Sequence, residues 1–138
     1  MPSPPSLTRF PTPIATDAAP RAIGPYSQAV RSDDFIFCSG QIGLDPATGE
    51  IVAGGIEAET QRVLENLQAV LTAAGVTPRA VLRTTIYLVD LGDFARVNAI
   101  YERFFAAPFP ARSTVGVAAL PRGARVEIDA IARGASGA

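Results

Sequence analysis

Apolar and polar positions alternate along this chain with two different periods. Over residues 56–74, Ile56, Thr60, Val63, Leu67, Val70 and Ala74 step by four and three, and Leu64 and Leu71 widen the stripe. That spacing predicts an amphipathic helix. Gly75 is a natural residue to close it, and Pro78 blocks continuation. A second helix is predicted over 93–105, with Phe94, Val97, Ile100, Tyr101, Phe104 and Phe105 on one side. Asp90 or Asp93 could cap it or favour its positive end. The segment 80–89, AVLRTTIYLV, is rich in β-branched types and predicts a strand. Two more strands are expected at 112–119 and 124–132, joined through Leu120-Pro121-Arg122-Gly123. QAVRSDDFIFCSGQIGL (28–44) has two short apolar runs around Ser32-Asp33-Asp34 and reads as a hairpin or meander. Residues 1–13 are rich in proline and serine and read as a poorly ordered tail, leaving 14–138 as one domain.

The element order ββ-α-β-α-ββ suggests a βαβ unit and a mixed sheet of five or six strands. Two helices can cover only one face of such a sheet. Strand alternation assigns Leu82, Thr84, Ile86, Leu88, Val115, Val117, Val126, Ile128 and Ala130 to the helix side. The other face is expected to carry Arg83, Thr85, Tyr87, Arg112, Thr114, Gly116, Glu127, Asp129 and Ile131. It is too apolar for bare solvent and too charged for a dry core. A face of this kind commonly meets another subunit, so homo-oligomerisation is expected, with polar residues lining clefts between chains. If the last two strands pair, Gly116 sits across from Glu127, and Arg112 lies further along the same face.

Composition then narrows the chemistry. The 138-residue chain is 48% hydrophobic and 18% charged, as in an ordinary globular domain. Its net charge is -1, so no broad basic field is available to hold a nucleic-acid backbone. No apolar run reaches membrane-spanning length, and prolines interrupt the N-terminal stretch where a secretory signal would need a continuous apolar segment. One cysteine, Cys38, fits a reducing compartment, and the default is the cytoplasm.

There is no histidine, and all 12 basic residues are arginines. Histidine-assisted nucleophiles, lysine Schiff bases and a P-loop lysine are therefore excluded. A zinc site of the usual His/Cys kind is excluded too, and no clustered D-x-D-x-D pattern suggests another metal. No cofactor is expected. Any chemistry must run on Arg, Glu, Asp, Tyr, Ser, Thr, Cys38, backbone groups and water, and Cys38 on its apolar strand reads as core.

Five ordered blocks carry a resemblance: AAPRAIGPYSQAV (18–30), CSGQIGLDPATGEIVAGGIEAET (38–60), VLENLQAVLTAAGV (63–76), VLRTTIYLVDLGDFARVNAIYERFF (81–105) and FPARSTVGVAALPRGARVEIDAIA (109–132). Together they resemble the reactive-intermediate deaminase family, the RidA or YjgF-like proteins. The resemblance implies an α/β (α+β) chorismate-mutase-like subunit, assembled as a homotrimer with ligand clefts between subunits. It also implies hydrolysis of reactive 2-imino acids, and their 2-aminoacrylate tautomers, to 2-keto acids and ammonia. By position, the family's carboxylate-binding arginine falls on Arg112 and its water- or imine-handling glutamate on Glu127. Its site tyrosine, serine and asparagine fall on Tyr26, Ser39 and Asn98. Thr114 stands where many members have cysteine, which leaves open whether its side chain or its backbone serves the ligand.

Those residue types suit the chemistry. A guanidinium matches a carboxylate through two parallel charge-assisted hydrogen bonds. A protonated imine is already electrophilic, so the protein need only hold the carboxylate, place a water and move protons. A partly buried glutamate with raised proton affinity can exchange a proton with that water. Bland readings stand beside each: Arg112 as a solvated strand end, Glu127 paired with Arg125 or Arg133, Ser39 as a turn cap, Tyr26 as surface packing, Asn98 as a polar helix flank. A non-catalytic binder of a small carboxylate metabolite is the alternative function. RNA cleavage or translation inhibition is disfavoured by the acidic balance.

Overall fold

A computed structural model of the chain describes residues 10–134. Its elements are β1 (Thr12–Ile14), β2 (Ala29–Ser32), β3 (Phe35–Ile42), α1 (Gly55–Ala73), β4 (Val81–Leu88), α2 (Phe94–Phe104), β5 (Ala111–Gly116) and β6 (Val126–Arg133). Most of the stretch read as a tail, residues 1–9, lies outside the described residues, and Thr12 and Pro13 pair with β2 as part of β1.

The six strands form one mixed sheet in the order β1-β2-β3-β6-β4-β5. The β4-α2-β5 crossover makes a parallel pair, and the other neighbours are antiparallel. The last two strands are therefore not partners. β6 inserts between β3 and β4, and β5 closes the far edge on β4. Central placement suits β6, whose alternate residues Val126, Ile128, Ala130 and Ala132 are all buried.

Both helices lie on one face. α1 drives Ile56, Val63, Leu64, Leu67, Val70 and Leu71 into the core against Ile36, Cys38, Ile86, Leu88 and the β6 residues. It ends as expected: Gly75 takes φ +84°, its N–H reaches the Thr72 carbonyl at 3.0 Å, and the Val76 N–H reaches that of Leu71 at 3.0 Å. Asp90, not Asp93, caps the turn leading into α2, accepting from the Gly92 N–H at 2.8 Å.

Cross-strand partners share a face, and this corrects four assignments on β5, among them Gly116, which lies opposite buried Leu88 on the helix side. Arg112 is opposite Thr84, and Thr114 is opposite Ile86. Thr84 and Ile86 are buried beneath the helices, so Arg112 and Thr114 are on the helix side. Val115 is opposite Tyr87 on the other face, 40% exposed. Alternation supplies the period of an edge strand but not its phase, and choosing the valine as the buried residue inverted β5. Leu82, also expected beneath the helices, is 46% exposed because the β4–β6 register shifts between Val81 and Arg83, and Val81 is buried instead.

The face away from the helices carries Phe35 and Phe37, 40% and 44% exposed, with Thr85, Tyr87, Glu127 and Asp129 further along. It has the mixed apolar and charged character expected, without Arg112 and Thr114. No described helix is long and apolar enough to cross a membrane.

Candidate active site in two halves

The first half is built on a bulge in β3. Cys38 pairs with Ala130 and Gln41 with Ile128, so Ser39 and Gly40 together span the position of Asp129. The extra residue gives the Glu127 side chain its place. A Cβ built on Gly40 would overlap the Glu127 carboxylate, so only glycine admits the carboxylate against this backbone. Glu127 is half-buried. Its carboxyl is held above the ordinary carboxylate range, first by burial and then by the negative charge of Asp129. The pairing considered from sequence does not occur: Arg125 lies 3.7 Å from Glu59 and Arg133 3.9 Å from Asp34.

Ser39 stands beside it. Its hydroxyl donates to the Ser27 carbonyl at 2.6 Å, so towards the cleft it offers only acceptor lone pairs. Tyr26 follows the Gly24-Pro25 turn and stands 52% exposed at the rim, its hydroxyl accepting weakly from the Ile23 N–H at 3.4 Å. The loop carrying it is tied down by Gln28. That buried amide accepts from the Thr16 N–H at 2.7 Å and reaches the Thr16, Ala19 and Pro20 carbonyls at 3.0, 3.3 and 2.7 Å. Together these elements enclose a cleft of about 500 Å³, with Arg21, Tyr26, Ser39, Gly40, Arg122 and Glu127 among its walls.

Asp129 lies beyond Glu127 on the same face. It accepts from the Tyr87 hydroxyl at 3.0 Å and the Thr85 N–H at 3.2 Å. Cys38 is buried in the core nearby, its thiol pushed up to about 11 by burial and then by Asp129. It stays protonated at neutral pH and supplies no nucleophile.

The second half lies between α2 and β5. Phe94, Asn98 and Tyr101 follow one another at i, i+4 and i+7, one stripe of the helix, above Arg112 and Thr114 at i and i+2 of the strand. The Arg112 guanidinium carbon lies 4.9 Å from the Tyr101 ring centre and 5.5 Å from that of Phe94. Tyr101 is itself fixed, its hydroxyl 2.7 Å from the Thr84 hydroxyl on the buried side. Arg112 makes no ion pair with any described carboxylate. Asn98 Oδ1 and Thr114 Oγ1 are buried without a hydrogen-bond partner among the described residues. Each such atom costs about 1–3 kcal/mol unless something reaches it. Asn98, Glu102, Phe109, Pro110 and Arg112 border a cleft here of about 350 Å³.

Tyr26, Ser39 and Glu127 thus come together in one place and Asn98, Arg112 and Thr114 in another. The sheet separates the two, with Arg112 on the helix side and Glu127 on the other. Sequence reasoning placed Phe94 and Tyr101 in an apolar stripe and missed their contact with Arg112. Their spacing around Asn98 was the available signal. Gly40's contact with Glu127 and the Gln28 clamp had none, because both depend on the bulge and on the path of residues 15–27.

A family model described as Endoribonuclease L-PSP matches residues 16–134. Protein DfrA of Myxococcus xanthus is 60% identical over 121 residues, covering 86% of this chain and 92% of the relative. The 2-iminobutanoate/2-iminopropanoate deaminase of Mus musculus is 53% identical over 119 residues, covering 86% and 88%. The crystal structure of RidA from an Antarctic Psychrobacter superposes with a TM-score of 0.85 at 43% identity, covering 87% of this chain and 97% of that one.

Proposed function

The chain belongs to the Endoribonuclease L-PSP family, the YjgF/RidA proteins, and from that premise we propose that it hydrolyses 2-imino acids to 2-keto acids and ammonium in the cytoplasm. The observation that carries the reading is Glu127, a half-buried carboxyl with raised proton affinity that no described cation neutralises, facing a cleft with Ser39 and Tyr26. A general base for water needs such a group.

The site proposed is shared by two copies of a homotrimer, because Arg112 and Glu127 of one chain face opposite sides of its sheet. The uncovered face, with Phe35, Phe37 and Val115 exposed, is the surface such an assembly would bury. Arg112 of one copy takes the substrate carboxylate, helped by a hydrogen bond from the Thr114 hydroxyl, with Asn98 beside them. Glu127 of the neighbour lies beside the imine carbon. A water adds there, forming the C–O bond while the C=N π pair moves to nitrogen and a proton passes to Glu127. Glu127 then returns the proton to the amine. The carbinolamine collapses, its hydroxyl giving its proton to Glu127 as the C–N bond breaks and its electron pair leaves with nitrogen, and Glu127 passes that proton to the departing ammonia. The balance is iminium carboxylate plus water giving keto carboxylate plus ammonium, with no metal or redox partner in any step. Ser39 accepts a hydrogen bond from the iminium N–H or the water, and Tyr26 covers the ligand.

RNA cleavage, the activity in the family model's description, is the less supported reading. The chain has no lysine and a net charge of -1, which gives poor phosphate contact. To test the proposal, 2-iminobutanoate is generated with an amino-acid oxidase and its decay is followed. Faster decay with the protein, abolished by Arg112→Ala and by Glu127→Gln, is expected. Equal decay with and without the protein would leave a non-catalytic carboxylate binder.

A further inference from the structure

A half-buried arginine ordinarily finds a carboxylate, because an uncompensated cation loses hydration that only a counter-charge or strong acceptors restore. Arg112 finds aromatic rings instead. Its guanidinium lies between Phe94 and Tyr101, and Glu102, the acidic residue bordering the same cleft, makes no ion pair with it. The ring of Tyr101 is anchored from below by Thr84, and Phe94 stands at the start of α2, where the capped turn at Asp90 fixes the entry of the helix.

From this we infer that Phe94 and Tyr101 are positioning residues that hold Arg112 by its ring contacts so that its charge stays unspent for the substrate carboxylate. The inference rests on the proposed role of Arg112 and adds what makes that role effective. A ring face attracts a cation through its quadrupole without occupying the N–H donors, which project in the guanidinium plane. A carboxylate in the same place would occupy two of those donors and cancel the charge. The device therefore trades a strong contact for a weak one, and so keeps the bidentate fork open to an incoming anion. It also restricts the rotamers of a long side chain before binding, which lowers the ordering cost on association.

Phe94 is the residue on which to test this, since it is 41% exposed and its replacement opens no core cavity. The readout is affinity of the full-length protein for 2-oxobutanoate, measured by calorimetry, beside KM and kcat for the enzymatically generated imine. Arg112→Ala is the reference and should bind at least about ten-fold more weakly. Phe94→Leu should weaken binding about three-fold, with KM rising in step and kcat falling less than about two-fold. Phe94→Trp should restore affinity. Phe94→Glu supplies the counter-ion the fold omits and should approach Arg112→Ala. If Arg112→Ala loses binding while Phe94→Leu and Phe94→Glu bind like wild type, the positioning role is overturned and the role of Arg112 stands. If Arg112→Ala itself binds normally, the carboxylate reading falls, and this inference with it.

Discussion

Arg112 and Glu127 occupy opposite faces of the same sheet, the first opposite Thr84 beneath α2 and the second opposite Tyr87 on the uncovered side. No rotamer change brings them to one small substrate within a chain. If both act on the same molecule, they come from different copies, and a mixing experiment should show it. Arg112→Ala and Glu127→Gln should each be inactive. When equal amounts are unfolded together and refolded, a ring of three with head-to-tail sites should regain about a quarter of wild-type activity. One copy must then contribute arginine and its neighbour glutamate, each with even odds. Activity that stays at the level of the single variants would place both groups in separate sites.

Gly40 gives the second prediction. A Cβ at this position would overlap the Glu127 carboxylate, so Gly40→Ala must push that side chain away from the bulge. The neighbour is the free end of a flexible side chain, so the fold should tolerate the change. We expect a Tm within a few degrees of wild type and kcat/KM reduced at least about ten-fold, through loss of a positioned general base. A variant with full activity would mean that Glu127 need not lie against β3.

Glu127 itself supplies a dependence on pH. Its proton affinity is higher folded than unfolded, from burial first and Asp129 second. Between the two titrations the folded chain binds more protons than the unfolded one, so this group lowers stability as pH rises above its ordinary value of 4.5. Glu127→Gln removes that penalty. Its Tm should match wild type near pH 4 and exceed it at pH 7 and above, measured by scanning calorimetry. Asp129→Asn should shift the acidic limb of the kcat/KM profile to lower pH, because it removes a like charge. Its Tyr87 and Thr85 partners are neutral, so no new unpaired ion is created.

How far these groups were legible in sequence depends on what each signal measures. The stripe from Ile56 to Ala74 and the Gly75 stop are local, and α1 runs where they point, over Gly55–Ala73. Tyr26, Ser39, Glu127, Arg112, Asn98 and Thr114 were singled out by residue type and resemblance, and each borders a cleft or lies unsatisfied beside one. Their division into two groups was not legible. It follows from β6 inserting between β3 and β4 and from the phase of β5, which are long-range pairings that no window of the chain encodes. Leu82 shows the same limit, since a one-residue bulge reverses the alternation locally.

Thr114 provides the last test, because it separates a stability effect from a binding effect in one substitution. Its Oγ1 is buried without a partner among the described residues, so in the free protein the hydroxyl costs stability. Valine has the same shape and no hydroxyl. Thr114→Val should therefore leave Tm unchanged or raise it, where deleting a useful hydrogen bond would lower it. If the hydroxyl donates to the substrate carboxylate beside Arg112, the same change should raise KM about ten-fold or more, the loss of one hydrogen bond to a charged group. Thr114→Ser, which keeps the donor, should recover most of that loss. Equal KM in Thr114→Val and wild type would show that this position serves the ligand through its backbone, and that the departure from cysteine here is neutral for binding.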